Sequence, residues 1–358
     1  MAQKQYVHAS CPRCGGDLVY EGGKKALKCR KCQYKRELGK DTDQVDNHPL
    51  TAGINWRKFE RGMGRTLYSF ACKSCKAVVA HDHEEAPEEC PFCHSSDWGE
   101  SKGHEKVMEP MQMIPFLVSK TSAIGKLKRW INPKAYFPYI NIKWWYPRGI
   151  QSILKPENVK GIYVPVFYAD IWTRTTWVGE AGFDSVKQDK DKIVKKRVFE
   201  KVKGYYENFW DAQEQVDSKG IEKHLMDIKP FNLRQTIYFN ADHLKDWPVE
   251  VYQSKELDIL KKIDKRLNKR LESTAKRRSR GQGMKDLKMK SEKFLIAFRH
   301  ILVPVWIATY YYRGHKYQFL VNGESGKTAG IKPLSFQRIA MTIGGTALLM
   351  LLIAWLIS

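Results

Sequence analysis

Hydrophobic residues are continuous at one end of the chain. The twenty residues that begin at Ile339 carry no charge, and the basic residues Lys327, Lys332 and Arg338 precede or flank this run. A helix of that length is about 30 Å long, which matches the hydrocarbon core of a bilayer. A buried core helix would normally show a polar stripe, and this run has none. We therefore expect a transmembrane tail anchor over 336–358. The preceding cations predict a single-pass protein of the cell membrane with its N-terminal body on the cytoplasmic side.

The middle of the chain reads mainly as strands. Residues 164–169 and 303–308 form a near repeat, Val-Pro-Val-Phe-Tyr-Ala and Val-Pro-Val-Trp-Ile-Ala. Such β-branched and aromatic runs favour strands, and proline, which lacks an amide hydrogen, suits a strand start or a bulge. We predict that each strand is entered through its proline. Further predicted elements are strands over Arg197–Tyr206, Gln235–Asn240, Tyr317–Val321 and Lys327–Ile331, a charged turn over Val186–Lys196, and a helix over Thr121–Trp130.

A basic amphipathic helix is predicted near 255–280. Its apolar residues recur at helical spacing, with cations on the other faces, and glycines end it near Gly281. The apolar stripe comprises Leu257, Leu260, Ile263, Leu267 and Leu271. Two interpretations stand at this point. In the first, which is the commoner arrangement, the apolar stripe packs on a sheet and the lysines are solvated. In the second, the cationic face lies on an anionic membrane.

The cysteines carry the clearest chemistry in the chain. All eight fall into one spacing used twice, a Cys-x-x-Cys pair, fourteen residues, and a second Cys-x-x-Cys pair. The two sets are Cys11, Cys14, Cys29 and Cys32, and Cys72, Cys75, Cys90 and Cys93. This spacing is typical of zinc ribbons, in which two turns place four thiolates around one Zn²⁺. We predict two structural Zn²⁺ sites with no open coordination position.

Disulfides are the alternative for these cysteines. A net charge of +23 and the lack of a recognisable secretory signal favour a reducing compartment instead. The histidines near the second set, His81, His83 and His94, are interpreted as surface polar residues, because each cysteine set is already complete. The spacing leaves open whether the cysteines pair within each ribbon, which we favour, or in a cross-brace between the two sets.

Together these patterns predict an α+β fold. It comprises two N-terminal zinc ribbons, a mostly antiparallel central sheet with one or two helices, and one C-terminal transmembrane helix. The predicted order is zinc ribbon 1 over 1–40, a linker over 41–65, zinc ribbon 2 over 66–105, the β-rich domain over 106–335 and the anchor over 336–358.

Charge suggests anionic partners. Lysine and arginine outnumber aspartate and glutamate by 62 to 39, and no acidic residue occurs between Glu109 and Glu157. In that stretch cations alternate with aromatic residues, which suits lipid headgroups or stacked bases, although the aromatics could equally belong to a core. The candidate contact residues are Lys126, Lys128, Arg129, Lys143, Trp144, Trp145 and Arg148, together with Lys276, Arg277, Arg278 and Arg280 at the end of the amphipathic helix.

No catalytic constellation is evident in the sequence. Asp170 is interpreted as a lone carboxylate beside a strand. Residues 321–328, Val-Asn-Gly-Glu-Ser-Gly-Lys-Thr, approach a phosphate-binding loop, but the first glycine is replaced by Val321 and the Pro-containing segment that follows cannot open a helix. An Asn-Gly pair with Gly326 suits a hairpin turn between two strands instead. We therefore predict a protein that is not an enzyme.

The order of parts resembles the bacterial zinc-ribbon membrane proteins of the YdjG type. The matching stretches are 11–16, 90–93, 114–116 with 119–120, 161–167, 302–306 and 322–327. The region 255–293 and the aromatic patch 136–146 depart from the family pattern. Some relatives are labelled primosomal helicases, but this chain lacks an intact phosphate loop and the paired acidic motif of a helicase motor.

The resemblance implies a non-enzymatic membrane adaptor. Such proteins work with SPFH-domain (flotillin-like) partners, TPM-domain partners and PspA-like envelope-stress proteins. The predicted function is therefore a tail-anchored adaptor that assembles a membrane complex, with an oligomeric assembly as a further expectation. The alternative is a membrane-tethered, zinc-ribbon nucleic-acid-binding protein.

Overall fold

The structure, a computed structural model, describes residues 13–14, 18–21, 26–29, 31–37, 61–62, 67–101, 107–131, 145–147, 150, 155–189, 192–219, 221–245 and 247–357. Its strands are β1 Leu18–Glu21, β2 Ala26–Cys29, β3 Lys35–Glu37, β4 Tyr68–Cys72, β5 Val78–His81, β6 Trp98–Ser101, β7 Gln112–Met113, β8 Val159–Asp189, β9 Lys192–Val216, β10 Ile237–Tyr238, β11 Val249–Val251, β12 Met284–Tyr312, β13 His315–Asn322 and β14 Thr328–Gly330. Its helices are α1 Lys120–Ile131, α2 Glu222–Leu225, α3 Glu256–Arg278 and α4 Phe336–Ile357. The predicted α+β class is confirmed.

Two sheets are present in the described part of the chain. Strands β1, β2 and β3 form a small antiparallel sheet in that order. The remaining strands, β4 to β14, form a mostly antiparallel sheet of 11 strands. Two of its pairings are parallel, β7 with β12 and β8 with β11.

The chain divides into two compact units. The first unit comprises Met1–Glu60, Val166–Gln215 and Ser254–His300, and the second comprises Arg61–Pro165, Val216–Gln253 and Ile301–Ser358. Strands β8 and β12 each continue from one unit into the other, because the divisions fall inside them. Each unit is therefore built from three separate stretches of sequence.

The core of the first unit lies between α3 and the long strands. The predicted apolar stripe of α3 is buried at Leu260, Ile263, Leu267 and Leu271. The hydroxyl of Tyr206 on β9 donates a hydrogen bond of 2.7 Å to the Leu271 carbonyl. The packing interpretation of this helix is thus confirmed, because burying the stripe against the sheet removes its apolar area from water.

An ion pair joins β8 and β12 in the same unit. Both carboxylate oxygens of Asp170 lie close to Nη2 of Arg299, at 2.7 and 2.6 Å. The interpretation of Asp170 as a lone carboxylate was wrong. The arginine lies 129 residues further along the chain, so only strand pairing brings the two together.

The core of the second unit forms around α1 and strands β12 and β13. Helix α1 buries Ala123, Leu127 and Ile131. These side chains pack in one cluster with residues that include Trp306 and Phe319. The predicted helix is confirmed and extends one residue further at each end than Thr121–Trp130.

Several predicted strand limits were wrong. Pro165 and Pro304 lie inside β8 and β12 rather than at their starts. A proline removes one donor from a strand but keeps its carbonyl, and that of Pro304 accepts a 2.9 Å hydrogen bond from the Gly323 amide. The strands also continue through most of Val186–Lys196, with β8 ending at Asp189 and β9 beginning at Lys192. The predicted strand over Gln235–Asn240 shrinks to the two residues of β10.

Helix α4 follows β14. The span Phe336–Leu356 contains 21 residues. Its apolar 18-residue stretch has a mean hydropathy of 2.1, and no part of that stretch is buried. By length and composition this helix is long and apolar enough to cross a membrane.

Candidate metal centres

Cysteine turns of one shape recur in both predicted metal sites. In each turn that the structure describes, the amide of the residue after the second cysteine donates to the carbonyl of the first cysteine. The donors are Gln33, Lys76 and His94, with N–O distances of 3.1, 2.9 and 2.9 Å. All three adopt positive φ, at 58°, 64° and 56°. The tight turn directs both cysteine side chains of a pair to one side, as a metal site requires.

The second cysteine cluster is Cys72, Cys75, Cys90 and Cys93. The Cys72 and Cys93 sulfurs are 3.5 Å apart, and those of Cys75 and Cys90 are 3.7 Å apart. All four sulfurs lie within 4.8 Å of one another. Four thiolates at about 2.3 Å from a central zinc would be about 3.8 Å apart. The donor set and its spacing therefore fit one tetrahedral metal ion.

The first cysteine cluster, as described, is Cys14, Cys29 and Cys32. Their sulfurs also lie within 4.8 Å of one another, and those of Cys14 and Cys29 are 3.5 Å apart. The predicted fourth ligand, Cys11, lies outside the described residues. The seven described cysteines are all free thiols, and these distances far exceed the roughly 2.05 Å of a disulfide. The clusters therefore pair as predicted, each within its own set, and no cross-brace joins the described cysteines.

Backbone amides and neighbouring thiols tune the cysteines. A hydrogen bond from the Cys32 amide lowers the pKa of Cys29 to about 7. A hydrogen bond from Cys90 lowers the pKa of Cys75 to about 5, while the pKa of Cys90 is raised by the same contact. Burial raises the pKa of Cys93 to about 11. Thiolates are the form that binds a metal, so these hydrogen bonds favour metal binding at Cys29 and Cys75.

The second cysteine cluster is seated on the large sheet. Phe92, between Cys90 and Cys93, is fully buried. Its carbonyl accepts hydrogen bonds from Thr309 Oγ1 at 3.2 Å and from Gln318 Nε2 at 3.0 Å. The Tyr311 hydroxyl donates to the Cys93 carbonyl at 2.7 Å. These supporting residues were missed by sequence reasoning. The apolar residue inside Cys90-Pro-Phe-Cys93 is the one local signal that this turn faces a core.

The first cysteine cluster packs against aromatic side chains. Buried Cys29 packs with Trp172 of β8 and Phe294 of β12, and the two other described cysteines border this group. Cys29 is therefore buried against aromatic rings, whereas Cys14 and Cys32 are half-buried. Both metal centres thus rest on strands rather than on loops alone.

Two of the three nearby histidines are not surface residues. His81 is 8% exposed and stacks on Phe70, with ring centroids 5.4 Å apart. Burial lowers the pKa of His81. His94 is half-buried and its Nδ1 lies 2.9 Å from a carboxylate oxygen of Glu89. His83 is exposed as predicted. None of the three joins the four-cysteine group in the described structure.

The predicted anionic contact residues fall into two places. On α1, Lys128 and Arg129 are exposed and Lys126 is half-buried. The Trp145 indole N–H donates to Thr342 Oγ1 of α4 at 3.2 Å. At the end of α3, all four cations are exposed, namely Lys276, Arg277 and Arg278 in its last turn and Arg280 just after it. Lys143, Trp144 and Arg148 lie outside the described residues.

Aromatic and cationic groups surround the start of α4. The Lys332 ammonium lies over the rings of Trp130 and Tyr146, 4.3 and 5.4 Å from their centroids. Arg338 donates a 2.8 Å hydrogen bond to the Tyr146 carbonyl. Burial lowers the pKa of Lys332. Tyr146 is buried and Trp130 packs on Phe319, so these described aromatics serve the core as well.

The segment that approaches a phosphate-binding loop is a turn between β13 and β14. The Asn322 side-chain oxygen accepts hydrogen bonds from the amides of Glu324 and Ser325, at 2.9 and 3.0 Å. Gly326 has φ of 76°, which favours glycine. Thr328 then pairs with Val321 across the hairpin. The predicted turn is confirmed, and no helix follows to receive a phosphate at this position.

Comparison with known proteins identifies one distant relative. Over 247 residues the chain is 22% identical to a Bacillus subtilis (strain 168) protein described as uncharacterized protein YdjG, covering 67% of this chain and 68% of that protein. No protein-family model matches the chain. No solved structure matches it either. The sequence thus has a distant similarity to YdjG, and the cysteine clusters and the apolar helix are the chemical features from which a function has to be inferred.

Proposed function

We propose that this protein is a non-enzymatic, zinc-stabilised membrane adaptor. The main support comes from the second unit, where the four-cysteine cluster is hydrogen-bonded to the β12–β13 hairpin. After this hairpin the chain continues through β14 into α4. One folded unit thus contains both a rigid cysteine knob and an apolar helix. This arrangement suits a protein that holds a partner at a fixed position near a membrane.

The metal in each centre is zinc in this proposal. Four thiolates select soft or borderline ions, and zinc is the usual occupant of four-cysteine turns with this spacing. Such a site has no position for water or substrate, so its role is to stabilise the fold. From the sequence spacing, Cys11 is the proposed fourth ligand of the first centre.

The membrane placement rests on α4 and the residues before it. Half-buried Trp130 and Lys332 resemble the aromatic and cationic groups that sit at membrane interfaces. The basic balance of the chain suits an anionic inner leaflet, so the folded body lies on the cytoplasmic side. Lys128, Arg129 and Trp145 are then close to lipid headgroups.

An acidic face on the second cysteine cluster supports partner binding. In a chain of net charge +23, the loop between β5 and Cys90 exposes Glu84, Glu85 and Glu88. Glu84 accepts a hydrogen bond of 2.7 Å from the Tyr68 hydroxyl, whereas neither Glu85 nor Glu88 forms a hydrogen bond or ion pair with another described residue. We propose that this face contacts the partner, for which SPFH-domain, TPM-domain and PspA-like proteins are the candidates.

Purification of the full-length protein from its native membranes in mild detergent tests this function. Co-purifying proteins and nucleic acid are quantified together. The variant Glu85→Lys/Glu88→Lys reverses the charge of two of the three named acids of this face, and Glu157→Lys/Glu200→Lys, at two exposed acids elsewhere, makes the same change in net charge.

A stoichiometric membrane-protein partner that is lost in the first variant and retained in the second would support the proposal. Nuclease-sensitive nucleic acid without a protein partner would contradict it and favour a membrane-tethered nucleic-acid-binding protein. Binding of nucleic acid would also fall steeply with salt.

A further inference from the structure

A cationic cleft lies in the first unit, in residues separate from both metal centres. Its volume is about 390 Å³, and it is lined by β8, β9 and the end of α3. Four lining residues are cations, Lys203, Arg277, Arg278 and Arg280, and no aspartate or glutamate is among the lining residues. A cleft with several cations and no carboxylate favours an anionic ligand.

The end of α3 explains how three arginines reach one cleft. The helix ends at Arg278, and the Ser279 amide still bonds to the Ala275 carbonyl at 3.0 Å. Arg280 then takes φ of 61°, which turns the chain sharply. Cations also offset the carbonyl end of a helix dipole. That effect does not account for Lys203, which comes from β9, or for the indole N–H of Trp177 on β8.

Trp177 supplies an unpaired donor at the cleft. Its side chain is 5% exposed, and its indole nitrogen has no hydrogen-bond acceptor in the described structure. An indole N–H can only donate. The ring lies so close to Gly204, another lining residue, that a Cβ there would be 2.7 Å from the indole nitrogen. A buried donor without an acceptor is unfavourable, and a ligand oxygen would satisfy it after a small shift of the Gly204 backbone that packs against the ring.

The cations of the cleft also lack ion pairs with acidic side chains in the described structure. No ion pair joins Lys203, Arg277 or Arg280 to a carboxylate among the described residues, and Arg278 rests on the Tyr206 ring at 5.1 Å. Guanidinium groups bind phosphate oxygens through paired hydrogen bonds, and lysine adds a point charge. A phosphate group with a free dianionic end presents only acceptors, which matches a cleft whose charged lining residues are all donors.

We propose that this cleft binds a phosphate monoester or pyrophosphate group. The shared chemistry is a terminal phosphate, and its source is either the headgroup of an anionic phospholipid or a soluble phosphate compound. The proposal goes beyond the adaptor role and stands whether or not a protein partner is found.

Titration calorimetry on the full-length, metal-loaded protein in detergent tests it. The soluble probe is inorganic pyrophosphate. The lipid probe is dihexanoyl phosphatidic acid, used below its micelle concentration, with dihexanoyl phosphatidylcholine as the matched lipid without a monoester. We expect the wild-type protein to bind one equivalent of a terminal-phosphate probe and to show no binding of phosphatidylcholine.

Three variants make the test specific. Arg277→Gln/Arg280→Gln should weaken binding at least tenfold. Lys265→Gln/Lys269→Gln, at two exposed lysines of the same helix, removes the same charge and should change the affinity less than twofold. Trp177→Phe keeps a ring in place without the N–H and should weaken binding several-fold. Unchanged circular dichroism and metal content confirm that each variant is folded.

Each outcome has a defined meaning. Tighter binding of phosphatidic acid than pyrophosphate would assign the lipid source, and the reverse would assign the soluble source. Absence of binding to both probes would overturn the proposal. Equal losses in the arginine and lysine variants would overturn it too, because the attraction would then be a general effect of net charge.

Discussion

At the scale of single residues, the cysteine turns combine local and distant causes. The positive φ values of Gln33, Lys76 and His94 follow from the need to reverse the chain directly after a cysteine pair. The packing of two such turns against each other, in contrast, depends on distant residues. For the second cluster it depends on Phe92, which is buried and held by Thr309 and Gln318. The cluster is therefore both a metal site and a part of the sheet.

Replacing Cys75 should release one metal ion. Cys75→Ser leaves three thiolates at the second cluster, and the weaker serine ligand cannot hold the fourth position. We expect metal content measured by mass spectrometry to fall from about two equivalents to about one, with a lower midpoint of thermal unfolding. Ser74→Ala is the control, because Ser74 is the exposed neighbour of Cys75 and its hydroxyl donates a 2.9 Å hydrogen bond to Ser95 rather than to a cysteine. Retention of both metal ions in Cys75→Ser would contradict the assignment.

At the scale of elements, two helices show opposite solutions for apolar surface. Helix α3 buries one stripe and exposes its lysines, whereas α4 exposes apolar residues on every side. Water tolerates the first arrangement and strongly disfavours the second. The hydrophobic pattern alone therefore separates a helix that packs on a sheet from one that suits a lipid environment.

Truncating the stripe of α3 should destabilise the protein. Leu267 is fully buried, so Leu267→Ala leaves a cavity and should lower the free energy of unfolding by about 2–5 kcal/mol. Lys265→Ala on the exposed face should change it by about 0.5 kcal/mol or less. Urea unfolding in detergent monitors both. A small effect of Leu267→Ala would mean that the stripe is not part of the core in solution.

A charge in the middle of α4 should impair membrane insertion. Leu349 is 59% exposed, and an arginine at the centre of a spanning helix costs about 2.5–3.5 kcal/mol. Leu349→Arg should therefore appear in the alkaline-carbonate extract of membranes, while Leu349→Ile should stay in the pellet as wild type does. Equal retention of both variants would argue against a spanning helix.

At the scale of the whole molecule, charge is unevenly distributed. The chain carries 62 basic and 39 acidic residues, yet the loop of the second cysteine cluster is acidic and the cleft at the end of α3 has no carboxylate. Separate regions thus offer opposite signs to different ligands. The same bias, with cations just before α4, predicts the orientation in the membrane.

Protease protection should reveal that orientation. We expect the folded body to be resistant when protease is added outside intact spheroplasts and to be digested after lysis. A membrane protein with a known external domain serves as the control for protease action. Digestion in intact spheroplasts would contradict a cytoplasmic body.

Much of the candidate chemistry could be predicted from local sequence. Cysteine spacing determines the two ligand sets, because a metal turn is formed by a few consecutive residues. The uncharged run determines α4, and helical periodicity determines α3, because both depend on neighbours within one or two turns of the helix. The turn at Asn322 and Gly323 is likewise a local property of the backbone.

Tertiary structure alone decided the rest. Phe92 and Gln318 are separated by 226 residues, and Asp170 and Arg299 by 129. The cleft beside Trp177 combines strand residues with the end of a helix about 100 positions later in the sequence. Such contacts depend on which strands pair in a sheet of 11 strands. Strand pairing is set by the combined burial of many side chains, and no single segment carries that information.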